Sequence, residues 1–151
     1  HPEFRDAVQS TLAWFPGASQ PRPPEGLLGP LLDSENVDAQ ILDRLVRRYG
    51  DEAQAVLACG RDPIAPGARM IMGQVHWAVT QEYARTLEDV VYRRLRTPLY
   101  EPSLSERGLE RISELLSELL GWDESERLSQ LDSTRRRLAF DQNFPDKTRS
   151  E

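Results

Sequence analysis

The segment "EYARTLEDVVYRRLRTP", residues 82–98, carries the clearest helix signal of the 151-residue chain. Thr86 can accept a hydrogen bond from the backbone N–H of Asp89 while the Asp89 carboxylate reaches back, which is the reciprocal pattern of a capping box. The pattern predicts a helix from Thr86 to Arg96, and Pro98 is predicted to end it. The apolar residues of this helix recur at helical spacing and are predicted to face the core: Leu87, Val90, Val91 and Leu95.

The charges of this segment also pair at helical spacing. Glu82 and Arg85 are related as i,i+3. Asp89 and Arg93 are related as i,i+4, and an exposed pair at either spacing contributes only a few tenths of a kcal/mol. If Glu82 and Arg93 or Arg94 lie buried between helices, removing one partner costs about 3 to 5 kcal/mol. We interpret the cluster as a structural element that fixes how two successive helices cross.

Outward from this segment, apolar residues recur at helical spacing in almost every stretch between glycines and prolines, and no stretch alternates long enough to predict a strand. We therefore expect an all-α fold, an orthogonal or irregular bundle of about six to seven helices with no sheet. Gly50 and Gly121 are predicted to end two helices, and Asp123 with Glu126 to cap the last one. Besides 86–96, the predicted helices cover roughly residues 4–15, 35–49, 51–58, 68–83, 105–120 and 123–140.

Proline and glycine divide the chain into three predicted parts. Residues 1–37 combine an N-terminal helix with a Pro/Gly-rich segment, residues 38–140 form a helical domain, and residues 141–151 form a polar tail. A chain of this length is expected to bury one core without disulfides or metals. It begins at His1 without a Met or a signal pattern, which is typical of a vector or cleavage boundary.

Composition narrows the classes of partner. The net charge of -6 repels phosphate backbones and anionic lipids on average, so a nucleic-acid partner is not expected. No apolar run reaches the roughly 18 to 20 residues of a membrane span. The single cysteine, Cys59, excludes an internal disulfide framework and fits a reducing compartment, so we expect a cytoplasmic protein.

No catalytic, cofactor-binding or metal-binding residue is predicted within the chain. Neither GxGxxG nor GxxxxGKS/T occurs, so a dinucleotide has no glycine-rich turn to hold its phosphates. His1, His76 and Cys59 are too few soft ligands for zinc. His76 could act as a general base, but without a spaced nucleophile it is more typical of a hydrogen-bonded core or boundary residue.

Two groups of arginines could bind nucleic acid. The three consecutive arginines at 135–137 point about 100 degrees apart on a helix, so we interpret them as a solvated face. The arginines within 93–96 lie in the second of two helices joined by a short turn, as in a DNA-reading helix-turn-helix. Recognition residues usually stand at the start of that helix, where this chain has Glu88 and Asp89, so a DNA-binding protein is the weakest of three alternatives.

Six residues of the opening segment stand at the spacing E-x-A-x-T-x-x-D-x-x-x-R-R: Glu82, Ala84, Thr86, Asp89, Arg93 and Arg94. This pattern resembles the C-terminal helical domain of FAD-dependent (aerobic) glycerol-3-phosphate dehydrogenases. The stretches "RYGDEAQAVL", residues 48–57, and "QVHWAVTQE", residues 74–82, resemble two further segments of that family. The chain departs from the family at Gln74, where an acid is common, and at Leu95, where a threonine is common.

The resemblance implies that the intact protein oxidises sn-glycerol 3-phosphate to dihydroxyacetone phosphate and passes electrons through FAD to a quinone. The chain would then be an accessory domain that packs against the flavin and substrate domain of the same polypeptide and binds no FAD itself. The resemblance also implies a parent located peripherally on the cytoplasmic face of the membrane. A free-standing helical interaction module without a redox parent is the main alternative.

An accessory domain separated from its partner is expected to expose apolar surface. The candidate docking residues lie in and around the Pro/Gly-rich segment: Trp14, Phe15, Leu27, Leu28, Leu31 and Leu32. Burial of all six within one monomer would contradict the docking role. A surface of this kind also leaves self-association open.

Overall fold

A computed structural model of the chain describes residues 37–100 and 104–142. Its one sheet-like feature within these ranges is an isolated antiparallel bridge between Pro63 and Ile71, so the predicted all-α class is confirmed. The predicted N-terminal helix, the Pro/Gly-rich segment and most of the polar tail lie outside the described residues, and the three-part division stays a prediction. The helices are α1 (Ala39–Tyr49), α2 (Ala53–Ala58), α3 (Met72–Thr80), α4 (Thr97–Tyr100), α5 (Glu106–Leu120) and α6 (Glu124–Gln142), with a 3₁₀ turn at Gly50–Glu52 and a π-helical segment at Asp89–Arg94.

Helix α1 begins a few residues later than predicted and ends where predicted. Asp38 caps it, since Oδ1 of Asp38 accepts a hydrogen bond from the N–H of Gln40 at 2.7 Å. Gly50 follows the last helical residue with φ at 55°, a left-handed value that glycine adopts without steric cost. The buried face packs with α2 and Ile71 into one of two core clusters: Ile41, Leu42, Leu45, Val46 and Tyr49.

The predicted helix over residues 68–83 is wrong at both ends, because α3 is confined to Met72–Thr80. Upstream, the N–H of Met72 donates to the carbonyl of Asp62 at 2.8 Å, so the backbone before α3 pairs with a neighbouring loop. Downstream, Tyr83 has φ at 58°, a value that an α-helix does not contain. The start depends on a contact outside the apolar repeat and the end on a backbone turn, and neither can be predicted from periodicity.

The predicted α-helix over residues 86–96 is largely a π-helix. The N–H of Leu95 donates to the carbonyl of Val90 at 2.8 Å, which is the i,i−5 bond of a π-helical turn. Arg96 follows with φ at 54° and ends the segment. Pro98 therefore does not end this helix; it lies in the first turn of α4, where a missing N–H costs no helical bond. The predicted inward-facing residues are all fully buried, as expected: Leu87, Val90, Val91 and Leu95.

The two long helices follow their predicted caps closely. Oγ of Ser105 accepts from the N–H of Gly108 at 3.2 Å and begins α5, which ends at Gly121 with φ at 71°. Oδ1 of Asp123 accepts from the N–H of Glu126 at 2.8 Å and begins α6. Helix α5 packs against α3 and α6 and contributes to the second core cluster, which also contains the π-helical segment.

Candidate functional site: an arginine-lined groove

The predicted capping box is present at the start of the π-helical segment. The N–H of Asp89 donates to Oγ1 of Thr86 at 3.0 Å, and Oδ2 of Asp89 accepts from the N–H of Thr86 at 3.1 Å and of Arg85 at 3.1 Å. Burial alone would raise the pKa of Asp89, but these hydrogen bonds and the bond from Arg93 lower it below its ordinary value. Ala84 of the same motif is fully buried. These residues stabilise the local structure.

Arg94 ties the end of α3 to the π-helical segment. Its Nε and Nη2 donate to the carbonyl of Glu82 at 3.1 and 2.7 Å, and Nε lies 3.5 Å from Oε2 of Glu82. Both side chains are partly exposed, so the pair is worth less than a fully buried one. The sequence suggests two partners for Glu82, either Arg85 at i,i+3 or one of Arg93 and Arg94 across the helix crossing, and the ion pair in the structure is with Arg94. The predicted pair of Asp89 and Arg93 is present.

A groove of about 850 Å³ opens between α1 and the π-helical segment. Three arginines of α1 stand at i, i+3 and i+4, which places them on one helix face, and three more come from the π-helical segment and the residues after it. Six arginines and one acid thus line the groove, in a chain whose net charge is -6. Its lining residues are Arg44, Arg47, Arg48, Met70, Gln74, Glu82, Arg93, Arg94 and Arg96.

Two groove arginines make ion pairs with acids at the rim. Nε of Arg47 lies 2.7 Å from Oδ2 of Asp43, and Arg93 pairs with Asp89. The side chains of Arg47 and Arg93 are 73% and 67% exposed. A guanidinium carries five N–H donors in a planar fork, so one such pair leaves further donors for a ligand.

Buried polar groups lie beside the groove. Arg48 donates to the carbonyl of Arg94, which joins the two walls, and its guanidinium lies 5.3 Å from the ring centre of Tyr49. Tyr49 is 6% exposed, and the side chains of Arg48 and Gln74 lie next to its hydroxyl. Burial raises the pKa of this hydroxyl, and the charge of Arg48 opposes the rise. Gln74 is 5% exposed, and its Oε1 accepts from the N–H of Ile71 at 3.1 Å.

The groove as a unit is not evident from the sequence. The sequence predicts ion pairs or a DNA-reading helix for the arginines within 93–96, and no role follows from it for Arg44, Arg47 and Arg48. The only sequence signal was the i, i+3, i+4 spacing of these three residues on an amphipathic helix. That spacing predicts a basic face, but it does not predict which element lies opposite.

The remaining candidate chemistry stays unsupported. His76 is partly buried, as expected of a boundary residue, but its Nδ1 has no hydrogen-bond partner in the described part of the chain. Burial raises the pKa of the Cys59 thiol, which disfavours the reactive thiolate. Across residues 37–100 and 104–142, no three His, Cys, Asp or Glu side chains are placed to hold a metal ion. The described helices are all too short or too polar to cross a membrane.

Arg136 and Arg137 are exposed, as predicted, whereas Arg135 is partly buried, and both Arg135 and Arg137 also join helices. Arg135 pairs with Glu106 of α5. Nη1 of Arg137 lies 2.7 Å from Oε2 of Glu88, next to the π-helical segment. These pairs connect α6 to its neighbours, and exposed ion pairs of this kind typically contribute less than about 1 kcal/mol each.

The predicted docking surface lies outside the described residues. It comprises Trp14, Phe15, Leu27, Leu28, Leu31 and Leu32. The docking role and self-association of the chain therefore stay predictions.

Comparison with known proteins supplies the family context. Residues 9–127 match a family model described as the C-terminal domain of alpha-glycerophosphate oxidase. Curated relatives include proteins named "Glycerol-3-phosphate dehydrogenase, mitochondrial" from Bos taurus and Homo sapiens, each 29% identical over 132 residues, and from Mus musculus, 26% identical over 129 residues. The match covers 80%, 80% and 78% of this chain but only 18% of each relative. No solved structure matches the chain significantly.

Proposed function

Since the chain belongs to the family of the C-terminal domain of alpha-glycerophosphate oxidase, we propose that it is the helical accessory domain of a larger FAD-dependent glycerol-3-phosphate dehydrogenase. The family match over residues 9–127 carries this proposal, and the names of the relatives support the reaction. The chain spans 18% of the length of those relatives. We therefore assign flavin and substrate binding to parts of the parent that this chain does not include.

In the proposed parent, sn-glycerol 3-phosphate is oxidised at C2 to dihydroxyacetone phosphate. FAD would supply the hydride acceptor for this oxidation in the parent, and a quinone would take up the two electrons. The described residues of this chain offer no strand followed by a glycine-rich turn, so they do not fit the usual cradle of a dinucleotide phosphate. A quinone dissolved in the bilayer is consistent with a parent bound peripherally at the cytoplasmic face of a membrane.

The role that we propose for the domain is support and docking. The motif residues Glu82, Thr86, Asp89 and Arg94 hydrogen-bond to one another or to adjacent backbone, which suits a rigid platform better than a reaction centre. Residues 38–140 would form the platform, and the apolar side chains within 14–32 would contact the flavin domain of the same polypeptide. No residue of the chain is assigned to catalysis.

The size and activity of the natural polypeptide test this proposal. An antibody against the chain should detect a polypeptide several times its mass, and that polypeptide should reduce an electron-accepting dye when glycerol 3-phosphate is added. The isolated 151-residue chain should show neither flavin absorbance nor dye reduction. A natural product of the chain's own size would support the free-standing interaction module instead. A full-length parent without activity on glycerol 3-phosphate would overturn the assigned reaction.

A further inference from the structure

We propose that the arginine groove binds a phosphate oxyanion, carried by a small phosphate monoester. The groove lies between α1 and the π-helical segment, and its residues are all within the described part of the chain. This site goes beyond the proposed function, because it is built from this chain alone and does not depend on the reaction of the parent.

The shape of the groove suits a small ligand. Its volume of about 850 Å³ lies within the range of small-molecule sites, roughly 300 to 1,000 Å³. The two walls are tied together, since Arg48 on α1 donates to the carbonyl of Arg94 on the opposite wall. The site is therefore a concave feature of the fold. The buried residues Met70 and Gln74 also line it.

The charges of the groove favour an anion with more than one negative charge. Six arginines line the groove together with one acid, Glu82, and the carboxylate of Glu82 lies 3.5 Å from Nε of Arg94. The rim acids Asp43 and Asp89 add one ion pair each, which still leaves the groove positive. Guanidinium forks bind phosphate oxygens in pairs, and several forks around one concave site match a tetrahedral dianion.

The backbone around the groove is unusual in two places. The π-helical segment carries Arg93 and Arg94, and π-helical turns occur frequently at functional sites. Arg96 has φ at 54°, a conformation that side-chain-bearing residues rarely adopt. Both features lie on the wall that supplies three of the six arginines. The irregular backbone therefore lies in the wall that contains Arg93, Arg94 and Arg96.

The site favours a small phosphate over a macromolecule. A nucleic acid is repelled by the net charge of -6 and needs a basic surface that extends along its backbone. A bilayer presents its headgroups as a broad layer, whereas this site is a groove. The same phosphate chemistry can still come from a free monoester or from a phosphatidic acid headgroup.

The test is a calorimetric titration of the full 151-residue chain with inorganic phosphate at constant ionic strength, with glycerol as the neutral comparison. Arg47→Gln and Arg93→Gln each remove one groove guanidinium and one i,i+4 ion pair. Arg136→Gln is a matched control, because Arg136 makes the same type of pair with Asp132 and is 78% exposed outside the groove. We expect saturable phosphate binding that weakens about tenfold or more in each groove variant and stays unchanged in the control.

Several results would overturn the site. It is refuted if phosphate does not saturate, or if the control loses as much affinity as the groove variants, since general charge would then explain the binding. The far-UV circular dichroism spectrum of each variant must match that of the unsubstituted chain, and agreement between two separate groove variants guards against a local folding defect.

Vesicles that contain phosphatidic acid distinguish a headgroup phosphate from a free monoester. Groove-dependent sedimentation with vesicles supports a headgroup phosphate, and its absence supports a free monoester. Vesicle binding without phosphate binding contradicts the proposal.

Discussion

Replacement of Gly73 by alanine is expected to destabilise the domain strongly, because α3 crosses the end of α2 there at very short range. A Cβ atom on Gly73 would lie 2.3 Å from the carbonyl oxygen of Val56 and 2.5 Å from the carbonyl oxygen of Gly60. It would also lie 3.0 Å from the backbone nitrogen of Gly60. All three neighbours are backbone atoms, so no side-chain rotation can relieve the overlap.

The magnitude follows from three opposing contributions. Alanine is favoured over glycine within a helix by about 1 kcal/mol. Overpacking costs about 1 to 3 kcal/mol, and an overlap with backbone places Gly73→Ala at the upper end of that range. Separation of the two elements also lengthens the 3.0 Å hydrogen bond from the N–H of Gly73 to the carbonyl of Gly60, which is worth about 1 kcal/mol. We expect a net loss of about 3 kcal/mol, a large share of the stability of a small domain.

Urea denaturation followed by far-UV circular dichroism measures this loss. Gly121→Ala is the matched control, because Gly121 ends α5 with φ at 71° and nothing within 4 Å would meet its Cβ. The control should lose only about 1 kcal/mol from the strained left-handed conformation. If Gly73→Ala were no more destabilising than Gly121→Ala, the close crossing of α2 and α3 would be refuted.

Two further predictions concern the capping box. Thr86→Ala should lower the free energy of unfolding by about 1 kcal/mol, because the N–H of Asp89 loses its acceptor at 3.0 Å, whereas Thr86→Ser should keep most of it; equal losses would contradict the cap. The lowered pKa of Asp89 contributes stability above its ordinary value of 3.8, and this contribution disappears as the pH falls through the lower folded-state pKa. The free energy of unfolding, measured as a function of pH, should therefore fall less steeply below pH 3.8 in Asp89→Asn than in the unsubstituted chain. Identical slopes would exclude the lowered pKa of Asp89.

Several helix ends that a local interaction sets were predicted well, although the Asp38 cap of α1 was missed. Ser105 and Gly121 bound α5 through bonds and dihedral angles within their own turns, and Thr86 with Asp89 does the same for the π-helical segment. Helix ends set by distant backbone were predicted wrongly. The start of α3 depends on the carbonyl of Asp62, which lies outside the apolar repeat that predicted the helix.

Ion pairs, like helix ends, were predicted best where both partners lie within one helical stretch. The pair of Asp89 and Arg93 follows from i,i+4 spacing and was predicted. The same rule predicts Arg85 as the partner of Glu82, but the chain turns sharply at Tyr83, and Glu82 pairs with Arg94, one of the two alternatives across the helix crossing. A rule for regular helices fails where the helix has already ended.

The sequence by itself determined the all-α class, most of the caps and the resemblance to the dehydrogenase family, because each rests on spacings within a few helical turns. Only the tertiary structure decided that arginines of two distant elements share one groove. Arg48 and Arg94, which join its walls, are separated by 46 positions, and no local periodicity relates residues so far apart. Their meeting depends on how α1 packs through Ile71 against the rest of the bundle, which is a property of the assembled core.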